Sequence, residues 1–158
     1  MDLKQLYQDI ILEHGKSPRN LGKCEGYSHE AKGYNPLCGD KVHVYLKLDT
    51  EKKVENLTFE GDGCAISLAS ASIMTELVKG KSINDAKEVM SAFLNMIKNT
   101  SEIKSNHLDE DQKTKIMSLS GVKQFPMRVK CATLSWHTLN SAMEGKKEAV
   151  NTEVMDYE

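Results

Sequence analysis

The chain has 158 residues, of which 39% are hydrophobic and 28% are charged, a balance typical of one soluble domain with a hydrophobic core. Its formal net charge of −2 gives no sign of a basic surface for nucleic acid or an anionic membrane. No apolar run approaches a membrane span, and the residues after Met1 do not begin a signal peptide. We therefore expect a cytoplasmic protein whose cysteines stay reduced and serve metals or catalysis.

The four cysteines are the first candidates for chemistry in such a protein: Cys24, Cys38, Cys64 and Cys131. Their wide separation matches no local zinc-finger spacing, so the spacing alone does not define a site. Cys24 lies in a polar loop between two glycines and has no evident partner. We therefore expect no functional role for Cys24.

The first predicted element is an amphipathic helix of about three turns. Its apolar residues recur at helical spacing at Leu3, Leu6, Tyr7, Ile10 and Ile11. His14 lies where this helix ends, before a turn at residues 18–22, and we interpret it as a packing histidine rather than a ligand. Residues 33–40 are rich in turn formers and predict a loop.

Two strands are predicted after this loop, at residues 42–48 and 54–60, joined by a polar hairpin connection. His43 falls on the polar side of the first strand, so we expect it to be solvated. Cys38 and Asp40 stand at the entrance of that strand, separated by Gly39, so a thiolate and a carboxylate can converge there on one ion. The alternative is that Asp40 is only a turn residue.

A tight turn, Gly61-Asp62-Gly63-Cys64, follows the second strand and precedes a helix of small and apolar residues without charge until Glu76. A helix with so little polar surface is normally buried in the middle of a domain. Cys64 would then lie at the helix N-terminus, where unpaired N–H groups and the helix dipole favour a thiolate. The alternative is a small core cysteine beside a turn.

A further helix is predicted from Ser82, which caps it with Asp85 at the third helical position. Residues 99–115 are polar and charged, so we predict a surface insertion in which His107 is exposed to solvent. Beyond it, apolar residues return the chain to the core at Ile116, Met117, Leu119 and Val122.

The last predicted helix begins near Pro126 and ends at Gly145. Cys131 lies near its N-terminus, three residues after Arg128, and this arrangement favours a thiolate. Trp136 lies on the apolar stripe of the helix and is expected to be core. Residues 146–158 are expected to form a flexible tail, which leaves residues 1–145 as a single domain with an insertion around 99–120.

Three segments of the chain carry a resemblance to a known family. They are His14-x3-Pro18-Arg19-Asn20-x-Gly22, Asn35-Pro36-x-Cys38-Gly39-Asp40, and Gly61-x-Gly63-Cys64-Ala65-Ile66-Ser67-x-Ala69-Ser70-x-Ser72. Together they resemble the SufU/IscU family of iron–sulfur cluster assembly proteins, from the first helix to Gly145. The resemblance implies an α+β fold with a small three-stranded antiparallel sheet packed against about five helices.

The same resemblance implies a metal site at one end of the domain, formed by Cys38, Asp40, Cys64 and Cys131. Three thiolates and one carboxylate complete the tetrahedron that zinc prefers. Two features are similar to the SufU branch rather than the IscU branch. Lys130 stands where IscU-type scaffolds have a histidine, and an extra stretch of roughly twenty residues precedes Arg128.

Two functions are compatible with this resemblance. The first is a zinc-dependent sulfurtransferase that accepts persulfide sulfur from a SufS-type cysteine desulfurase and passes it to a downstream Suf assembly scaffold. The second is a scaffold on which an iron–sulfur cluster is assembled, since thiolates suit either centre. In the first, the resemblance makes Cys38 the sulfur acceptor and Arg128 a residue for docking the desulfurase.

Overall fold

The structure is a computed structural model that describes residues 2–98 and 107–154. Over these residues the helices are α1 (Leu3–Lys16), α2 (Ala65–Val78), α3 (Ile83–Lys98), α4 (Glu110–Met117) and α5 (Pro126–Met143). The strands are β1 (His29–Asn35), β2 (Asp40–Leu48), β3 (Val54–Asp62) and β4 (Val150–Asn151). Short 3-10 helices occupy Ser120–Gln124 and Thr152–Val154. The predicted α+β class is confirmed. None of the described helices combines the length and the apolar composition that a membrane span requires.

The sheet corrects the predicted three-stranded antiparallel arrangement. It is mixed and has four strands in the order β3-β2-β1-β4, of which β4 runs parallel to β1 while the other pairs are antiparallel. The fourth strand lies in the segment that was expected to be a flexible tail. It is only two residues long and is formed by pairing with Gly33 and Tyr34, so no local pattern announces it.

The first strand corrects a second expectation, because residues 33–35, predicted as loop, complete β1. The buried positions of this strand are Ala31, Gly33 and Asn35, so it lacks the alternation of large apolar residues by which a strand is recognised. Gly33 is needed for packing: a Cβ there would collide with Thr138 Oγ1 and approach Leu134 Cδ1 to 3.0 Å. Its missing side chain lets α5 lie close against the sheet.

Helix α2 forms the centre of the domain, packed between α1, α5 and the sheet, as its uncharged sequence predicts. Its small residues allow close approach, and its hydroxyls are satisfied by neighbours: Ser70 Oγ accepts from Trp136 Nε1 at 3.0 Å. Trp136 is fully buried and stacks on Phe93 with ring centroids 4.3 Å apart, which confirms its prediction as core. This packing fixes the starts of α2 and α5 against one end of the sheet.

One histidine, His14, has the predicted environment, and another, His43, does not. His14 is buried, and its Nδ1 lies 2.7 Å from Ser72 Oγ, so it is a packing histidine as predicted. His43, expected to be solvated, is partly covered, and its Nε2 lies 2.8 Å from Glu30 Oε1.

The described end of the predicted insertion departs from the expected polar surface loop. His107, expected to be exposed, is partly covered because it forms ion pairs with Glu88 and Asp85 of α3. Helix α4 begins within the insertion because Asp109 and Gln112 form a reciprocal capping box there. Residues 99–106 of the insertion lie outside the described residues.

Candidate metal centre

Three chain segments meet at one end of the sheet and bring the predicted site residues together. They are the turn between β1 and β2, the start of α2 and the start of α5. The turn between β1 and β2 carries Cys38, and its backbone N–H donates to Asn35 O at 3.2 Å. Gly39 completes this turn with φ of 71°, a conformation that glycine adopts without strain. The start of β2 lies beside the end of β3, with Lys41 opposite Asp62, so Asp40 stands next to Cys64 at the start of α2.

Asp40 is buried, with 1% of its surface exposed, and both of its carboxylate oxygens are held. Oδ1 accepts the backbone N–H of Cys64 at 3.0 Å, and Oδ2 accepts Asn35 Nδ2 at 3.0 Å. Gly63 leaves room for this carboxylate, since a Cβ there would lie 2.5 Å from Asp40 Oδ1. Asp40 therefore does more than form a turn, because it links the end of β1 to the start of α2.

Cys64 is the N-cap of α2, and its Sγ accepts the backbone N–H of Ser67 at 3.5 Å. Interaction with the neighbouring Cys131 side chain, assisted by the N–H groups at the start of the helix, lowers the pKa of Cys64 to about 6. Burial and the charge of Asp40 oppose this shift of the pKa. Of the two alternatives for Cys64, its position at the N-terminus of α2 and the lowered pKa favour the thiolate over a plain core cysteine.

Cys131 is fully buried in α5 and behaves differently from the prediction. Arg128 was expected to favour its thiolate, but interaction with the Cys64 sulfur, burial and the nearby Asp40 carboxylate raise the pKa of Cys131. The two sulfurs therefore titrate as a coupled pair, in which a negative charge on one opposes ionisation of the other. Arg128 itself is exposed, and its hydrogen bond to Cys131 raises the pKa of the guanidinium.

The ligand atoms of Cys38, Asp40 and Cys131 lie within 4.8 Å of one another. The Cys64 sulfur is not within 4.8 Å of all three of these ligand atoms, although it interacts with the Cys131 sulfur. Three of the predicted ligands thus share one space, and the fourth adjoins it. Among the described residues, Asp85, Glu88 and His107 meet the same distance criterion, but their contacts are ion pairs on partly exposed side chains.

The chemistry of this cluster fits a soft divalent metal. Thiols with one carboxylate form the mixed sulfur and oxygen set that zinc accepts, and thiolates also suit iron–sulfur centres. Deprotonating the buried Cys131 beside the buried Asp40 carboxylate would place two anionic groups together in the interior of the domain. A bound cation offsets that cost, so these side chains fit a zinc ion or a similar soft metal.

Asn35 is a site residue whose role was not recognised from the sequence. It is fully buried, and besides Asp40 its Nδ2 contacts Cys131 Sγ at 3.6 Å. The sequence carries a signal for it, because Asn35 opens the segment Asn35-Pro36-x-Cys38-Gly39-Asp40 that contributes to the family resemblance. Its contacts with two candidate ligands could be found only from the fold.

The surface around the cluster is apolar and exposed. Leu37, beside Cys38, is 58% exposed, and Phe125 and Met127, beside Arg128, are 59% and 46% exposed. A groove of about 1180 Å³ continues from this surface between α1 and the start of α5. Large apolar side chains that surround a polar cluster in this way are typical of a surface that binds another protein.

The fold and the cluster together define a small α+β domain with a thiol-rich centre at one end of a mixed sheet. The chain belongs to the NifU-like N terminal domain family, whose model matches residues 6–132.

Relatives over nearly the whole chain carry two kinds of name. The chain is 41% identical over 150 residues to the zinc-dependent sulfurtransferase SufU of Bacillus subtilis, covering 95% of this chain and 97% of the relative. It is 35% identical over 147 residues to the iron–sulfur cluster assembly scaffold protein IscU of Streptococcus pyogenes, and the match covers 93% of this chain and 88% of the relative. Among solved structures, FiSufU of Fervidobacterium islandicum, a putative iron–sulfur cluster assembly scaffold protein for the SUF system, has a TM-score of 0.76 and 36% identity, and the match covers 88% of this chain and 97% of that one.

The position of Gly63 against Asp40 generates a prediction. Replacing Gly63 with alanine places a methyl group against the carboxylate, so Asp40 must move away from the Cys64 N–H and from the other candidate ligands. We expect Gly63→Ala to lower the free energy of unfolding by about 1–3 kcal/mol, the usual cost of overpacking, and to reduce metal content. Denaturant unfolding and metal analysis of the purified protein measure both effects.

Gly121→Ala is the matched control, because a Cβ at Gly121 meets nothing within 4 Å. Its stability should stay within about 0.5 kcal/mol of the original chain, with unchanged metal content. A Gly63→Ala protein that keeps its full metal content would show that the Asp40 position does not matter for the centre.

Proposed function

We propose that this chain is a zinc-dependent sulfur carrier that accepts persulfide sulfur from a SufS-type cysteine desulfurase for iron–sulfur cluster assembly. The observation that carries the proposal is the convergence of Cys38, Asp40 and Cys131, with Cys64 beside them, in one cluster. Further support comes from the name of the Bacillus subtilis relative, a zinc-dependent sulfurtransferase with 41% identity to this chain.

In this proposal Cys38, Asp40, Cys64 and Cys131 hold one zinc ion. Bound zinc keeps thiolates deprotonated at neutral pH, so the centre keeps a cysteine sulfur ready to act as a nucleophile. The protein's own contribution is to hold the ligands: Asp40 and Cys131 are buried, and Cys64 caps α2. Metal ions bind thiolates and displace protons from the cysteines, so metal affinity should fall as the pH falls.

Cys38 is the cysteine of the cluster best suited to accept sulfur. It lies half-buried in a turn beside Gly39, whereas Cys131 is enclosed within a helix and Cys64 is tied to the start of one. The Cys38 thiolate attacks the outer sulfur of the desulfurase persulfide, and a new sulfur–sulfur bond forms on Cys38. The original sulfur–sulfur bond breaks, and the desulfurase cysteine leaves as a thiolate.

The exposed apolar residues around Cys38 support docking of a protein partner at this end of the domain. Arg128 belongs to the same surface, and its planar guanidinium is suited to a carboxylate on the desulfurase. A second role is open to it, because its guanidinium also interacts with Cys131. The two roles predict different effects of substitution.

The second candidate function is a scaffold for assembly of an iron–sulfur cluster, which the name of the Streptococcus pyogenes relative favours. Against it stands Lys130, at the position where the IscU branch has a histidine. The Lys130 ammonium forms an ion pair with Glu153 at 3.0 Å and offers no metal-ligating atom while it is charged. We therefore prefer the sulfur-carrier function.

The acceptor role of Cys38 predicts where transferred sulfur is found. After incubation with desulfurase and cysteine, peptide mass spectrometry should find the added sulfur on the peptide that contains Cys38. A Cys24→Ala variant is the matched control, because Cys24 is buried away from the cluster against Asn56, and it should accept sulfur normally. Sulfur found mainly on Cys64 or Cys131, or full desulfurase activation by Cys38→Ala, would disprove the assignment.

The docking role of Arg128 predicts a separation of partner affinity from metal content. Arg128→Ala should lower the apparent affinity for the desulfurase by about tenfold, roughly 1.4 kcal/mol, the size expected for an interfacial arginine. Arg128→Lys should recover only part of this loss, because lysine lacks the planar fork. Binding is measured by titrating desulfurase activity with each variant.

The Lys87→Ala variant is the control, since it removes one exposed positive charge from α3 and should leave affinity and zinc unchanged. Zinc is measured in every variant. Loss of zinc from Arg128→Ala, in parallel with the loss of activation, would instead assign Arg128 to support of the Cys131 sulfur.

A further inference from the structure

The C-terminal segment returns to the metal centre after leaving α5. Its strand β4 pairs with β1, with Val150 opposite Gly33 and Asn151 opposite Tyr34. The next residue, Thr152, begins a 3-10 turn and is buried, with 1% of its surface exposed. The pairing of β4 therefore delivers a hydroxyl group to the end of β1, where the cluster begins.

Thr152 reaches the candidate ligands through one buried amide. Its Oγ1 donates to Asn35 Oδ1 at 3.0 Å. On the other side of the same amide, Asn35 Nδ2 donates to Asp40 Oδ2 at 3.0 Å and contacts Cys131 Sγ at 3.6 Å. The hydroxyl, the amide, the carboxylate and the sulfur thus form one continuous chain of hydrogen bonds from the C-terminal segment to two candidate ligands.

This arrangement satisfies the amide in one orientation. The carbonyl end needs a donor and meets the Thr152 hydroxyl, while the NH₂ end needs acceptors and meets a carboxylate and a sulfur. A rotated amide would turn its carbonyl oxygen toward Asp40 Oδ2, and two acceptors would repel. Without the hydroxyl, the buried carbonyl of Asn35 would lack this donor, and the amide would lose its support on the side away from the ligands.

The segment is also tied to the opposite wall of the cluster. Glu153 Oε1 lies 3.0 Å from the ammonium of Lys130, the residue directly before Cys131. The backbone N–H of Glu153 donates to Asn151 Oδ1 at 2.9 Å, which fixes the turn after β4. The C-terminal segment therefore bridges β1 and α5, the two elements that carry Asn35 and Cys131.

We propose that Thr152 is a positioning residue of the metal centre. Its hydroxyl, acting through the Asn35 amide, holds the Asp40 carboxylate and the Cys131 sulfur in the arrangement that binds the ion. The inference rests on the proposed function, because it takes Cys38, Asp40, Cys64 and Cys131 as the metal ligands. Partners of metal ligands orient them, and losing such a partner weakens metal binding without removing a ligand.

The test compares the full-length chain with Thr152→Val, which removes the hydroxyl and keeps the shape, and with Thr152→Ser, which keeps a hydroxyl. Zinc affinity is measured by competition with a chromophoric chelator. Geometry is measured by the visible absorption of the cobalt-substituted protein, and stability by the melting temperature of the metal-free protein. Thr138→Val is the matched control, because Thr138 is equally buried and its hydroxyl donates only within α5, to Leu134 O at 2.7 Å.

Thr152→Val should bind zinc about 10–100-fold more weakly and change the cobalt absorption bands, the effect typical of losing a partner of a ligand. Thr152→Ser should restore both to nearly the original values. Thr138→Val should lower the melting temperature while leaving zinc affinity and the cobalt spectrum unchanged.

Unchanged zinc affinity and cobalt spectrum in Thr152→Val would overturn the positioning role while leaving the proposed function intact. A loss of melting temperature alone, as in Thr138→Val, would also overturn it. If the original chain binds no zinc, the proposed function fails and this inference fails with it. Should Thr152→Val not fold, Thr152→Ala decides instead: it also removes the donor to Asn35 Oδ1, and zinc affinity equal to the original would overturn the role.

Discussion

The buried carboxylate of Asp40 is the constraint on which the rest of this end of the molecule depends. Its two oxygens accept hydrogen bonds from the start of α2 and from the end of β1, so a single side chain joins two turns that are distant in sequence. Gly63 has no side chain because the carboxylate occupies the space where a Cβ would lie. An anion buried beside two cysteine sulfurs is costly, and the proposed zinc ion is what offsets that cost.

The residues proposed to hold the centre differ in burial from the residue proposed to react. Asp40 and Cys131 are enclosed, and Cys64 is fixed by the N-terminus of a buried helix. Cys38 instead lies in a turn between Leu37 and Gly39, at the edge of an exposed apolar surface. In the proposed function, this difference lets the fold hold the candidate ligands in place while the Cys38 sulfur stays accessible.

The sequence predicted the parts of this structure that local patterns encode. Burial is indicated directly by the helical spacing of apolar residues in α5, by the absence of charge over most of α2 and by the apolar–polar alternation in β2. The motifs around Cys38 and Cys64 identified the family. The end of β1 was missed because its buried residues are small or polar, and β4 because tertiary pairing alone creates it. The raised pKa of Cys131 was missed for a similar reason: the local influence of Arg128 is outweighed by Cys64 and Asp40, which only the fold brings near.

In the proposed function, the cluster holds zinc and serves sulfur transfer. The most direct test is metal analysis of the protein as purified, with an absorption spectrum of the same sample. A zinc-bound sulfur carrier should contain one zinc ion per chain and show no visible absorption, because zinc has no electronic transitions in the visible range. A brown protein that contains iron and sulfide, with little zinc, would contradict it and favour the scaffold function.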